Sequence, residues 1–203
     1  MELLRRTGLM APFALVAFAL PLSGCGLNSV PTAEENVNAK WANVQSEYQR
    51  RSDLIPNLVA TVKGYANQEK SVLVEVTNAR ANATRVQINA ADLSDPGKVR
   101  AYGEAQAQLG GSLGRLLATM EAYPDLKSNQ NFLTLQSQIE GTENSILVAR
   151  RDYNEAVQGY NTRIRTFPDA IGAKVFYGAK PKVPFEASRG SDVAPKVDFN
   201  TSG

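Results

Sequence analysis

The chain has 203 residues with 22 lysines and arginines against 20 aspartates and glutamates, one cysteine and no histidine. A near-balanced charge with no basic block argues against a nucleic-acid partner. Without histidine, Ser-His-Asp and Cys-His catalysis are excluded and the commonest metal ligand is missing.

The first element in chain order is N-terminal. Arg5 and Arg6 precede an apolar stretch from about Gly8 to Leu20, and the small residues Ser23 and Gly24 lead to Cys25. A basic region, a short apolar core and small residues before a cut describe a secretory signal peptide. Leu22-Ser23-Gly24-Cys25 resembles a bacterial lipobox. The expectation is a signal peptide over 1–24, a lipid on Cys25 and a tether over 25–31. The alternative is an uncleaved spanning helix, since no charge occurs from Thr7 through Ala33 and about 20 apolar residues span a bilayer. Pro12 and Pro21 interrupt that stretch and Asn28, Ser29 and Thr32 dilute it. Both arrangements put the body on the extracytoplasmic, periplasmic side, because Arg5 and Arg6 hold the N-terminus inside. With Cys25 assigned to lipid, thiolate nucleophiles, disulfides and Cys/His zinc sites go too, and no cofactor or metal is expected.

From Val37 the apolar residues follow the alternating three- and four-residue spacing of packed helices. The first seam reads Val37, Trp41, Val44 and Tyr48 and continues through Arg51 to Ile55. Pro56 removes the amide that would bond to Ser52, so the chain either bends there as one helix or turns, with Asp53 capping a new one; the unbroken register favours one bent helix. A second seam runs Ile55, Leu58, Val62, Tyr65, Glu69, Val72, Val76, Ala79, Ala83 and Val86. A third runs Val99, Tyr102, Gln106, Leu109, Leu113, Leu116, Met120 and Tyr123, with Asp95 as N-cap and Pro96 at the first helical position. Gly103, Gly110, Gly111 and Gly114 lie inside it and predict close backbone approach to a neighbour. Turns are expected near 89–95 and at Tyr123-Pro124-Asp125.

The last seam recurs every seven residues: Phe132, Ile139, Ile146, Tyr153, Tyr160 and Phe167, with Leu135, Thr142, Ala149, Ala156 and Arg163 between. A helix from about Ser128 to Phe167 would be about 60 Å long. The expected fold is an all-α, elongated antiparallel up-and-down bundle of four helical segments over 32–167, followed by an irregular tail over 168–203. In that tail Val175-Phe176-Tyr177 forms an apolar island.

Three blocks carry a further pattern. Arg50 to Val59 with Val62-Lys63-Gly64-Tyr65-Ala66 is one; Glu121 to Lys127 with Asn131-Phe132 is another. The third comprises Glu140 to Asn144, Ala149-Arg150-Arg151 and Tyr153 to Val157, continued by Tyr160-Asn161 and Thr166-Phe167-Pro168. Together they resemble the LemA family over about residues 37–185. The resemblance implies an all-helical extracytoplasmic domain tethered at its N-terminus, with no established enzymatic activity. Two departures stand out: the lipobox-like segment where many members look to have an uncleaved helix, and Gln68-Glu69 where His-Glu is usual in the family.

The polar candidates within these motifs are Asp53, Asn57, Lys63, Glu69, Glu140, Glu143, Asn144, Arg150, Arg151 and Asn154. Glu69 is expected to pair with a basic residue of a neighbouring helix, Asn57 to satisfy the carbonyl freed by Pro56, and Arg150 or Arg151 to meet Glu69 or Asp53. Tyr153 and Tyr160 read as core with hydroxyls at the rim. The functional expectation is a non-enzymatic scaffold or docking partner for a membrane or envelope protein. The alternative is an enzyme or ligand-binding protein using Glu69, Glu140 and Glu143. A membrane-remodelling bundle would need a lipid-facing surface beyond the anchor, with Val175 to Tyr177 as its candidate.

Overall fold

The computed structural model describes residues 28–65 and 69–186; the signal segment, Cys25, Gln68 and the chain after Glu186 lie outside the described residues. Six α-helices and one 3-10 turn make up the described fold: α1 (Ser29–Lys63), α2 (Lys70–Arg85), the turn Ala90–Ser94, α3 (Pro96–Met120), α4 (Pro124–Lys127), α5 (Gln130–Arg163) and α6 (Asp169–Val175). The chain is an all-α helical bundle. The described residues form two compact units, one of residues up to Glu47 together with Ser145–Pro184, the other of Tyr48–Asn144 with Phe185 onward.

The second unit holds the larger core. Ile55, Leu58 and Val62 of α1, Leu73, Val76, Ala79 and Ala83 of α2, Leu109, Leu113, Leu116 and Met120 of α3, and Phe132 and Ile139 of α5 pack into one cluster closed by Leu126 of α4. Side-chain pairs show the relative direction of two of the helices. Asn82 meets Gln108, and Arg115 pairs with Glu75, so α2 and α3 run antiparallel. In the first unit, Val30, Val37, Trp41 and Val44 of α1 are buried, as are Ile146, Ala149, Tyr153, Ala156, Val157 and Tyr160 of α5. Trp41 and Tyr153 lie with ring centroids 5.6 Å apart, and Lys40 bonds Asp152 at 3.2 Å.

Helix α1 runs unbroken through Pro56, which decides between the two readings of that proline. The Ser52 carbonyl, left without its usual amide donor four residues on, accepts instead from Arg80 Nε of α2 at 2.9 Å. Asn57, expected to do this, is exposed, and its own carbonyl accepts from Thr61. A side chain from a neighbouring helix thus replaces a bond that the helix cannot make internally.

The reversal lies later than Pro56. The second seam, read as continuous from Ile55 to Val86, is broken after Lys63: Tyr65 is 46% exposed, and Glu69 is the N-cap residue of α2. Two helices of one bundle carry the same apolar spacing, so the periodicity passed through the corner. Gly64 was its local signal. Downstream, Asp95 caps α3 as expected, accepting from the amides of Gly97 at 2.9 Å and Lys98 at 3.2 Å. The expected turn before it is a 3-10 segment held by a reciprocal capping box between Asn89 and Asp92, with Leu93 fully buried.

Two features of the tail also differ from expectation. Phe167 leaves the seven-residue seam and is 83% exposed, because α5 ends at Arg163 and the helical repeat that would have carried Phe167 inward ends with it. The expected irregular tail also contains α6. Beyond it, Phe185 is buried and lies against Gly103 of α3, where an added Cβ would come within 3.7 Å of the phenyl ring. That is ordinary van der Waals contact, so the phenyl ring does not require glycine at 103. Gly114 has open space around it, so the expected close approach does not hold at every glycine of α3.

Candidate functional site

Two seam positions with polar side chains, Arg51 and Gln106, meet in the second unit, and Glu143 joins them there. Arg51 of α1 is 2% exposed. Its Nη2 donates to the Gln106 backbone carbonyl at 2.9 Å and to Gln106 Oε1 at 2.8 Å, while Nη1 donates to Glu143 Oε1 of α5 at 2.9 Å. The guanidinium carbon lies 5.1 Å from the centroid of the Tyr48 ring, which meets Tyr102 edge-on. Gln106 reaches α2 through a long contact to the Ala83 carbonyl at 3.4 Å. One arginine thereby ties α1 to α3 and α5. Its planar fork suits several acceptors at once, which a lysine could not match.

Gly110 makes room for this arrangement: a Cβ there would sit 3.3 Å from Arg51 Nη1. Thr142, the residue before Glu143, is fully buried and turns its hydroxyl to the Gln138 carbonyl. Buried atoms Arg51 Nε and Ser52 Oγ have no hydrogen-bond partner among the described residues. Burial is costly for a charge unless it is paired and hydrogen-bonded, and here the guanidinium is satisfied at both Nη atoms. The arrangement is a cross-link among helices.

The remaining sequence candidates do not join it. Glu69 accepts from the Tyr123 hydroxyl at 2.9 Å, so its partner is a tyrosine, and that carboxylate holds the Tyr123 phenol above its usual range. Glu69 lies 14 residues before Ala83 on α2, about 20 Å at 1.5 Å per residue. Glu140 is exposed and accepts from Gln136, one turn back. Asp53 is exposed and accepts from Gln49 at 2.7 Å. Arg151 pairs with Asp152 at 3.3 Å and with Glu155 at 3.7 Å on its own helix, not with Glu69 or Asp53. Arg150 is half-buried and Asn144 exposed. Lys63 ends α1 and, with Lys70, flanks a groove of about 430 Å³ that Val59, Leu73 and Val74 line.

The first unit holds a second set of polar contacts, between α5 and the chain after α6. Asn161 donates to the Lys182 carbonyl at 2.8 Å and accepts from the Lys182 amide at 2.9 Å; the Tyr153 hydroxyl donates to the Val183 carbonyl at 2.8 Å. Lys182 itself is 7% exposed and pairs with Glu34 of α1 at 2.8 Å. Burial pushes the Tyr153 phenol well above its usual range and that of Tyr160 up to about 12. The side-chain amide of Asn161 acts like a strand partner, which the sequence signalled only as the pair Tyr160-Asn161.

Among the described residues no helix is long and apolar enough to cross a membrane, and no group of three or more acidic or cysteine side chains is placed to hold a metal ion. The chain is similar to two magnetosome proteins MamQ of Paramagnetospirillum magneticum, each 29% identical over 157 residues, covering 70% of this chain and 58% of the relative. MamQ of Magnetospirillum gryphiswaldense is 28% identical over 171 residues, 76% of this chain and 62% of its own length. The protein LemA of Metamycoplasma hominis is 27% identical over 124 residues, 61% of this chain and 52% of that protein. The chain thus spans little more than half the length of the relatives it matches. The model of the LemA family matches residues 40–199, a stretch that contains the Arg51 cross-link and both partners of the tail clamp. The chain belongs to the LemA family.

Proposed function

We propose that the protein is a membrane-anchored, extracytoplasmic helical module that works without catalysis, as a scaffold or docking partner for an envelope or membrane protein. The observation that carries this reading is the dispersal of its acidic candidates. Glu69, Glu140 and Glu143 each engage a different partner, Tyr123, Gln136 and Arg51, and two of them are separated by most of α2. A carboxylate enzyme needs its acid and base converging on one reacting atom. Glu69 and Glu143 instead bond across elements to support the fold, which leaves the outer helix faces for recognition. On α5 of the first unit, Leu147 is 69% exposed and Val148 48% exposed.

The N-terminal segment supplies the location. A lipid on Cys25 confines the bundle to one membrane surface and raises the effective concentration of any partner there, so a small interface suffices. The similarity to relatives named as magnetosome proteins is compatible with an accessory role of this kind. Mass spectrometry of the mature N-terminus with membrane fractionation tests the anchor. The expected result is a lipid-modified Cys25 terminus in the membrane fraction, released by Cys25→Ser; an intact Met1 terminus would refute the lipoprotein.

A further inference from the structure

Helix α6 is built inside out. Its small residues Gly172 and Ala173 are buried against the first unit, while Ile171 is 57%, Val175 68% and Phe176 68% exposed. Phe167, just before it, is the most exposed large apolar residue of the described chain at 83%. Ile171 and Val175 are one turn apart and share a face. A helix that only needed to cover a core would turn these large side chains inward. Contiguous exposed apolar groups of this kind mark a surface that meets something else.

What it meets follows from where it lies and what surrounds it. Arg163, the last residue of α5, donates from Nη1 to the carbonyl of Ser29, the first residue of α1, at 3.2 Å, and its Nε lies 3.6 Å from Asp169 Oδ2, the first residue of α6. One guanidinium therefore joins the start of α6 to the start of α1. Cys25 is four residues before Ser29, a reach of about 14 Å when fully extended. Between residues 163 and 180 the chain carries Arg163, Arg165, Lys174 and Lys180 against the single acid Asp169. Exposed aromatic and aliphatic groups in a segment with an excess of basic residues, linked by Arg163 to the start of α1 that follows the proposed anchor, fit an anionic bilayer surface.

We propose that this end of the first unit, Phe167 with Ile171, Val175 and Phe176 of α6, inserts shallowly into the lipid surface beside the anchor. This rests on the reading that the N-terminal segment attaches the chain to a membrane. The basic residues contact the headgroups while the apolar face of α6 enters the acyl boundary. The anchor then fixes how the bundle stands on the membrane as well as where.

The test uses the full lipid-modified chain in vesicles of phosphatidylcholine and anionic phosphatidylglycerol, some carrying brominated acyl chains. Tryptophan is introduced by Phe176→Trp or, as a control on the same unit, Leu147→Trp, and the emission of buried Trp41 in the parent protein is subtracted. The expected result is blue-shifted emission from Phe176→Trp that brominated lipid quenches, with no quenching at Leu147→Trp and a weaker effect when phosphatidylglycerol is omitted. Water-like, unquenched emission from Phe176→Trp in protein that floats with the vesicles would overturn the proposal. A blue shift that grows with protein concentration and ignores bromine would also overturn it, because a second copy would then cover the face. Protein that fails to float with the vesicles would sink the anchoring reading itself, and this one with it.

Discussion

Arg51 shows what a single charged side chain does inside an apolar seam. Its charge is separated from water but spent on Gln106 and Glu143. Removing one member of a buried polar set leaves the others unsatisfied, whereas replacing the set by apolar groups of similar volume is often neutral or better. Arg51→Met is therefore expected to lower unfolding free energy by about 3 kcal/mol. The double change Arg51→Met with Gln106→Leu should recover part of that loss in chemical denaturation, because the side-chain acceptor goes too. A double variant less stable than the sum of the two singles would contradict the cross-link account. Tyr160 carries a second residue-scale consequence. Burial raises its phenol from 10.0 to about 12, so folding favours the neutral form: the contribution is fully present below pH 10 and is lost as pH rises through about 12. Alkaline unfolding should coincide with the ultraviolet rise of phenolate, and Tyr160→Phe should move the transition to higher pH.

At the scale of elements, the seam positions of α3 and the capping of its first turn were legible because each rests on local rules. Asp95 followed by Pro96 can be read without any neighbour, and Val99 through Met120 bury as their spacing predicts. The end of α1 at Lys63 was not legible, since α1 and α2 answer to the same core and only Gly64 marked the break. The partners of the motif polar residues were not legible: Glu69, expected to meet a basic residue, meets Tyr123, and Arg151 pairs along its own helix. Arg51 and Gln106 were visible on two seams, yet their meeting depends on the relative register of α1 and α3, which no local pattern encodes. Pro56 makes the same point. Its freed carbonyl was predictable, but Arg80 as its donor comes from another helix. The two should be energetically coupled: Arg80→Met is expected to cost about 1–2 kcal/mol in the parent chain and much less in a Pro56→Ala background, where the amide of residue 56 returns. Equal losses in both backgrounds by thermal or denaturant unfolding would disprove the compensation.

For the whole molecule, four motif residues, Arg51, Glu143, Tyr153 and Asn161, hold helices and tail together. Asn161 and Tyr153 clamp residues 182–183 onto α5, so even the chain beyond the periodic region is structural. The proposed function lies in attachment and surface, and its test belongs in the intact envelope. A photo-crosslinking residue at Leu147 should be compared in living cells between the parent chain and Cys25→Ser. One specific membrane or envelope protein should be joined to the parent chain and lost from the Cys25→Ser variant. An unchanged set of adducts in that variant, or no protein adduct from the parent chain at all, would contradict it.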